Sequence, residues 1–290
     1  MLVRRDVAMF GLSVALSTPF SQGGAIDSKL AVLHSKRVLQ NGANSITLFG
    51  TTGEGTSLSQ TEKLKILRTL IKEDILARQI IVAVMTSSLQ DVVSQCIEYH
   101  ELGVRRVLLA PPFFFKDLSF EGLLKWYSAV FVALRPLEIQ FILYNIPQLT
   151  MVPIEPKLIS ALQDKFGSEM VFGVKDSTGN LSGTLEFLKN KDLMVAVGDE
   201  RTLADAMCHG ASGAICGMSN IFPNELAEII NTKTHNPMIN KMTNLIVKAP
   251  VTAGVKALLA IKLNENKWLN VRSPLNPSSE AHQLLLKNAL

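Results

Sequence analysis

The stretch SVALSTPFSQGG, residues 13–24, decides between two folds that the rest of the chain permits. Its first half is apolar enough to form a buried strand, and its second half is the turn that follows. A doubly wound sheet that binds dinucleotides needs the pattern GxGxxG in such a turn, because the backbone must approach a pyrophosphate closely. The turn lacks that pattern and therefore argues against this fold.

Eight short apolar runs alternate with helical patterns as far as residue 232. Strands that are apolar throughout are typical of a parallel sheet covered by helices. Seven amphipathic segments lie between or after these runs; one starts at Asp27 as N-cap, and another has a capping box of Ser59 and Glu62. This pattern predicts an α/β fold, a TIM (β/α)8 barrel. The predicted strands are 13–20, 45–50, 80–86, 106–112, 139–145, 171–176, 194–200 and 213–220.

The alternation ends after residue 232, and the remaining residues have the pattern of three helices. They contain no strand-like run from which a second β core could be built. We therefore predict a barrel over residues 1–232 and a C-terminal helical extension of the same domain over residues 233–290.

The composition excludes several classes of protein. Of the 290 residues 47% are hydrophobic and 19% are charged, which suits a large core rather than disorder. The net charge is +4, but the basic residues are scattered, so we expect no nucleic-acid partner. Three cysteines without a CxxC pair indicate a reducing compartment, and five histidines without HxH or HxxxH spacing predict no metal site.

The first 20 residues, MLVRRDVAMFGLSVALSTPF, resemble a signal peptide because two arginines precede an apolar stretch. Asp6 interrupts the approach to that stretch, no alanine-x-alanine cleavage site follows it, and the same residues supply the first strand. We therefore expect a cytoplasmic protein. No apolar run reaches the roughly 18 residues that a membrane span requires, so we expect no membrane partner.

The sixth predicted strand ends in a lysine, within VFGVKDSTGN at residues 171–180. In a TIM barrel the carboxyl ends of the strands carry the active site, and the neighbouring strand ends in Tyr144. Lys175 could be a solvated strand end whose amine reaches water. Alternatively, loss of hydration favours the neutral amine, which can attack a ketone to form a Schiff base, while Tyr144 moves protons.

The second strand is followed by GTTGEG, residues 50–55. The segment is not a phosphate loop, because the GK[ST] ending is absent. Its backbone N–H groups and the hydroxyls of Thr51 and Thr52 could hold a carboxylate. A tight turn leading into a capped helix explains the same residues equally well.

Three motifs, GTTGEGTSLS, YNIP and GVKDSTGN, resemble in order and spacing those of the dihydrodipicolinate synthase and N-acetylneuraminate lyase family. STPF at 17–20 and GDE at 198–200 fit as well, and the resemblance covers about residues 10–290. It implies a TIM barrel without a cofactor, a homotetramer or homodimer, and a Schiff base with pyruvate. The residues that it implies in the site are Lys175 and Tyr144 in catalysis, Thr51 and Thr52 on the carboxylate, and Ile215, whose backbone lies along pyruvate.

Two departures concern the second substrate. In the synthase branch a tyrosine after strand four reaches into a neighbouring subunit, and an arginine two residues after YNxP binds the semialdehyde carboxylate. This chain has Phe114 and Leu149 at those places. The resemblance is closer to the branch that cleaves 2-keto-3-deoxy sugar acids, in which Ser177 and Glu200 match positions that hold hydroxyls. Each could instead be a helix N-cap.

The sequence thus predicts a carbon–carbon lyase, a class I aldolase that forms or cleaves a 2-oxo acid, with pyruvate and an aldehyde as its small-molecule partners. The alternative is 4-hydroxy-tetrahydrodipicolinate synthase, which condenses pyruvate with aspartate semialdehyde. A sugar-acid dehydratase is a third possibility in the same class. A binding protein that kept the barrel but lost catalysis would not need a buried amine, and Lys175 argues against it. We expect a pocket lined by Phe113, Phe114 and Leu149 to disfavour a carboxylated aldehyde.

Overall fold

The computed structural model describes residues 9–290, in which eight parallel strands close into a barrel in chain order. The predicted TIM barrel is confirmed. The first strand pairs with the second and the eighth, so the sheet has no free edge. The strands are β1 (Gly11–Ala15), β2 (Ser45–Leu48), β3 (Ile80–Val84), β4 (Arg106–Leu109), β5 (Gln140–Asn145), β6 (Val171–Asp176), β7 (Met194–Val197) and β8 (Gly213–Cys216).

The helices follow the strands, with the predicted caps in place. The Asp27 side chain accepts a hydrogen bond from the Leu30 N–H, and Ser59 and Glu62 form the capping box. The helices are α1 (Ser28–Gln40), α2 (Gln60–Lys72), α3 (Leu89–Glu101), α4 (Phe120–Leu134), α5 (Pro147–Thr150), α6 (Pro156–Phe166), α7 (Leu181–Phe187), α8 (Leu203–Cys208), α9 (Pro223–Thr232), α10 (Pro237–Ile246), α11 (Val251–Leu263) and α12 (Glu280–Ala289).

The sequence pattern located every strand but extended most of them too far. The first was predicted to reach Phe20 and ends at Ala15. Phe20 is fully buried, but it lies beneath Lys256 and Arg272 of the C-terminal extension rather than in the sheet. Burial by a distant segment produces the same apolar signal as burial in a sheet, so the pattern cannot separate the two.

One barrel helix was not among the predicted amphipathic segments. Helix α7 has only seven residues, and Gly183 lies within it. Glycine weakens a helix by about 1 kcal/mol relative to alanine, and so short a segment shows little periodicity. Its packing against β7 and α8 compensates for its weak intrinsic preference.

The apolar residues form two layers. The larger layer fills the space between the strands and the helices. The smaller one lies inside the barrel and reaches Tyr144 near its carboxyl end. The barrel interior is therefore a packed core and not a pore, and the site can open only at its mouth. Among residues 9–290, no helix is long and apolar enough to cross a membrane.

A buried histidine joins the barrel mouth to the first helix. His34 donates from Nε2 to the Asn220 side-chain oxygen at 3.0 Å, and Trp268 packs edge-on against its ring at 4.7 Å. Asn220 also receives the Ser17 N–H and donates to the Ala15 carbonyl, which ties β1 to the segment after β8. Burial, with repulsion from Arg37, lowers the pKa of His34 to about 3.

This histidine predicts a pH-dependent stability. The unfolded chain binds a proton at His34 below its ordinary pKa of 6.5, while the folded chain does not until about pH 3. The contribution of neutral, buried His34 to the free energy of unfolding is complete above pH 6.5. It is lost as the pH falls toward 3, by about 1 kcal/mol per pH unit. Urea unfolding between pH 6.5 and 5 measures it. His34→Gln keeps a donor but cannot titrate, and a slope equal to that of the unmodified protein would contradict the assignment.

Candidate active site

Three polar groups from three strand ends lie in a row at the barrel mouth. The Lys175 amine lies 3.3 Å from the Tyr144 hydroxyl, which lies 3.3 Å from the Thr51 hydroxyl. Tyr144 and Lys175 are directly paired in the register of β5 and β6, so adjacent strands project them into the same space. The row contains an amine, a phenol and an alcohol, which are the groups needed for nucleophilic attack and proton transfer.

The surroundings of Lys175 exclude the solvated strand end that the sequence allowed. The residue is 5% exposed, and its Nζ lies 4.4 Å from the centroid of the Tyr144 ring. In the part of the chain that the structure describes, the amine has Tyr144 as its hydrogen-bond partner rather than a carboxylate. Lys175 is therefore a buried amine whose neighbour is a phenol, and it lines the cavity at the barrel mouth.

The end of β6 is held in place by Asp176, the residue after the lysine. Its carboxylate accepts hydrogen bonds from the Asn145 amide at 3.0 Å and the Thr184 hydroxyl at 2.6 Å, and also from Thr178. Asn145 in turn receives the Ile154 N–H. These bonds join the ends of β5 and β6 and so fix Tyr144 relative to Lys175. The sequence analysis assigned Asn145 and Asp176 no role, although both stand beside the chosen residues.

The Thr51–Thr52 turn is a tight turn, in line with the simpler of its two interpretations. The Gly53 and Gly55 N–H groups both donate to the Gly50 carbonyl, and a short 3-10 helix follows from Gly55 to Ser57. The turn nevertheless lines the cavity, where both threonines are found. The two interpretations are compatible, because a turn can present hydroxyls to a ligand while keeping its internal hydrogen bonds.

The cavity above Lys175 has a volume of 320 Å³. The residues predicted to bind hydroxyls, Ser177 and Glu200, both line it, and neither is a helix N-cap. Helix α7 is preceded by Asn180, and the 3-10 helix after β7 is capped by Asp199. The alternative role is therefore wrong for both residues.

Glu200 is a buried carboxyl group on the cavity wall. Its Oε1 accepts the Met218 N–H at 2.7 Å, a bond that joins the ends of β7 and β8. Burial raises its pKa, and the neighbouring Asp199 adds to this, against the opposing effect of the Met218 N–H. Burial likewise raises the pKa of the Cys216 thiol. Burial thus disfavours the charged form of each group, and both groups can hydrogen-bond to a polar ligand.

Ile215 is placed differently from the rest of the predicted set. Its side chain is fully buried inside the barrel, in the same layer as Tyr144. On this strand the cavity is lined by the residues that come next, Cys216, Gly217 and Met218. The structure brings the other six predicted residues together at the cavity.

A second cavity of 290 Å³ adjoins the first and shares Thr51, Tyr144 and Leu149 with it. Phe113 lines this second cavity, but Phe114 lines neither. The prediction that Phe114 forms the pocket wall is wrong within one chain. Its backbone N–H donates to the Ser87 hydroxyl, and the residue is 73% exposed.

The described residues form no group of three or more His, Cys, Asp or Glu that could hold a metal ion. Lys175 and Tyr144, at the neighbouring ends of β6 and β5, and the Thr51–Thr52 turn after β2 lie together at one mouth of the barrel. The sequence pattern of the Dihydrodipicolinate synthetase family matches residues 8–290. The chain belongs to this family. Members of the family are lyases, and this chain is a lyase of the class that includes the pyruvate aldolases.

Several relatives in the family have names that bear on function. The crystal structure of a dihydrodipicolinate synthase from Agrobacterium tumefaciens is 39% identical, with a TM-score of 0.94 over 97% of this chain and 98% of that one. A DapA-like lyase of Chloroflexus aurantiacus is 32% identical over 73% of this chain and 71% of the relative. A 4-hydroxy-tetrahydrodipicolinate synthase of Methanococcus aeolicus is 26% identical over 97% of this chain and 98% of the relative.

These names favour the synthase over the sugar-acid aldolase that the sequence analysis placed first. Both the synthase and the sugar-acid aldolase share the common chemistry of the family. The choice between their second substrates must therefore be argued from the residues of this chain.

Proposed function

We propose that this protein is a class I aldolase in which Lys175 forms a Schiff base with pyruvate or a longer 2-oxo acid. The observation that carries the proposal is the row of Lys175, Tyr144 and Thr51, with successive separations of 3.3 Å. A buried lysine amine at the end of a barrel strand is a nucleophile for a ketone, and the resulting iminium is an electron sink that needs no metal or organic cofactor.

In the cleavage direction the Lys175 amine attacks the C2 ketone and water leaves, giving an iminium. Tyr144 gives its proton to the hydroxyl that leaves as water, and the resulting phenolate then takes the proton from the C4 hydroxyl as the C3–C4 bond breaks and an aldehyde departs. The electron pair of that bond remains as the enamine of pyruvate. Protonation of the enamine at C3 and hydrolysis of the iminium then release pyruvate and restore the amine. Thr51 and Thr52 hold the carboxylate, and the backbone of β8 at Ile215 runs alongside.

The trapping experiment tests this proposal. The protein is incubated with pyruvate, reduced with borohydride and digested, and the modified peptide is located by mass. We expect one adduct, on Lys175. An adduct on a different lysine, or pyruvate binding without any adduct, would show that this mechanism is wrong.

For the partner of pyruvate we propose a neutral, hydroxylated aldehyde, such as the aldehyde released from a 2-keto-3-deoxy sugar acid. Lys175 and Arg201 are the cations among the described residues that line the larger cavity, and Arg201 is held by both carboxylate oxygens of Asp199. Leu149 lies where the synthase branch has its carboxylate-binding arginine. Ser177 and Glu200 line the same cavity and can hydrogen-bond to hydroxyls.

The synthase is the second candidate, favoured by the names of the relatives. A carboxylate without a charged partner in the cavity loses solvation, which typically costs a few kcal/mol. We therefore expect glyceraldehyde to be accepted better than aspartate semialdehyde when pyruvate is the donor. Condensation rates on a panel of aldehydes measure this preference. A preference for the semialdehyde by tenfold or more, about 1.4 kcal/mol, would favour the synthase instead.

Leu149→Arg is expected to move the preference toward the semialdehyde by about tenfold or more, because it places a guanidinium at the cavity. Met151→Arg is the matched control. Met151 directly follows helix α5, which contains Leu149, is 65% exposed and lines neither cavity, so the same added charge should leave the preference nearly unchanged. Equal shifts in both variants would point to a general effect of charge and not to a contact with the substrate.

We also infer that copies of this chain associate into a dimer or tetramer. Phe114 and Phe115 are 73% and 62% exposed and stack edge-on against each other beside the second cavity. Two large apolar rings exposed next to an active site favour burial against a second copy.

A further inference from the structure

We propose that the ion pair between Glu54 and Lys256 is a positioning element for pyruvate. It ties the C-terminal extension to the Thr51–Thr52 turn and holds that turn in the shape that receives a carboxylate. The inference rests on the proposed function, because it takes the turn to be the place where the carboxylate of pyruvate binds. It assigns the extension a part in substrate binding, although the extension supplies none of the reacting groups.

The pair lies where charge is costly. Both side chains are completely buried, and Lys256 Nζ contacts Glu54 Oε1. The same amine donates to the Asn270 carbonyl at 2.7 Å and lies 4.3 Å from the centroid of the Phe20 ring. Burying two charges is often no more stabilising than burying two apolar side chains of similar size. Stability alone therefore does not explain the pair, whereas its fixed geometry does suit a positioning role.

Glu54 is held from two directions. While Oε1 faces Lys256, Oε2 accepts a hydrogen bond from the backbone N–H of Arg272 at 2.9 Å. The Glu54 backbone has a φ of 54°, in the left-handed region, which costs about 1 kcal/mol for a residue other than glycine. The two attachments of its carboxylate keep the residue in this conformation, and with it the turn of which it is part.

The same extension contacts the turn a second time. Thr252, four residues before Lys256 on α11, donates from its hydroxyl to the Thr51 carbonyl at 3.3 Å. On the opposite side the turn lies against β2 and the residues after it. A Cβ added at Gly55 would lie 1.6 Å from the Phe49 carbonyl oxygen. The turn is thus held between the end of β2 and helix α11, and we call the contacts of Lys256, Arg272 and Thr252 with the turn the clamp.

The clamp reaches the reacting groups through Thr51. The Glu54 N–H donates to the Thr51 carbonyl at 3.1 Å, and the Thr51 hydroxyl lies 3.3 Å from that of Tyr144. A shift of Glu54 is therefore passed to the hydroxyl that faces the cavity. Lys175 lies on a different strand end, held by Asp176, and does not depend on the clamp. Loss of the clamp should weaken pyruvate binding and leave the amine able to react.

The test uses pyruvate as the probe and borohydride trapping as the readout, with the pyruvate concentration that gives half of the maximal adduct as the measured quantity. In Lys256→Met we expect this concentration to rise about tenfold or more, with a maximal adduct close to that of the unmodified protein. Lys262→Met is the matched control, because Lys262 is an exposed lysine on the same helix, near Phe222 rather than the turn. It should change the half-saturating concentration by less than about twofold.

A second variant separates positioning from stability. Lys256→Met leaves Glu54 buried without its partner, and it could fail to fold for that reason alone. Glu54→Gln combined with Lys256→Met removes that charge, so stability should recover while the ion pair between the two positions remains absent. A positioning role predicts that the half-saturating concentration remains raised about tenfold in the double variant. A purely structural role predicts that it returns to the value of the unmodified protein together with the stability.

The outcomes distinguish this inference from the proposed function. No adduct in the unmodified protein overturns both. An adduct in the unmodified protein, with an unchanged half-saturating concentration in the double variant, overturns the positioning role alone and leaves the Schiff base intact. If Lys256→Met does not fold, the half-saturating pyruvate concentration of the double variant alone distinguishes a positioning role from a purely structural one.

Discussion

Lys175→Ala is expected to abolish the pyruvate adduct and to lower turnover by on the order of 10⁴-fold or more, because no other group at the site can replace the nucleophile. The fold should survive. Among residues 9–290 the amine makes one hydrogen bond, to Tyr144, and its removal leaves the bonds of Asp176 that hold the strand end intact. Circular dichroism and trapping by borohydride on the same preparation measure the two effects.

The matched control is Lys63→Ala. Lys63 is also buried, and burial lowers its pKa, but it lies on α2 and outside the cavity above Lys175. If buried lysines in general trapped pyruvate, Lys63→Ala would reduce the adduct as well. A variant lacking Lys175 that still traps pyruvate would mean that the nucleophile is a different lysine.

Tyr144→Phe is expected to retain the pyruvate adduct while turnover falls by about 100- to 10,000-fold, the range for loss of a general acid or base. The change removes the hydroxyl between Lys175 and Thr51 and keeps the ring that packs inside the barrel. Steady-state cleavage rates, compared with the yield of trapped adduct, separate proton transfer from Schiff-base formation.

Tyr127→Phe is the control for this substitution. Tyr127 is equally buried, and its hydroxyl has no hydrogen-bond partner among residues 9–290, so its loss should leave turnover unchanged. Turnover by Tyr144→Phe at the rate of the unmodified protein would refute the proton-transfer role. Loss of both turnover and the adduct would show that Tyr144 is needed already for the formation of the Schiff base.

The sequence by itself predicted the barrel, and it singled out the two residues that we propose to react. Periodicity located all eight strands, because a strand that is buried on both faces must be apolar along its length. Lys175 and Tyr144 were found because a polar residue that ends such a run is costly unless it has a partner or a task. The paired register of β5 and β6 then brings the two together, as expected for neighbouring parallel strands.

The tertiary structure alone decided what surrounds them. Phe114 was expected in the pocket but lines neither cavity within one chain, since the path of a loop depends on contacts such as the one to Ser87. Glu54 and Lys256 are 202 positions apart in the chain, and no local pattern announces their contact. Strand positions follow from local periodicity, whereas loop directions and buried ion pairs arise only when distant segments pack, and these control the shape of the site.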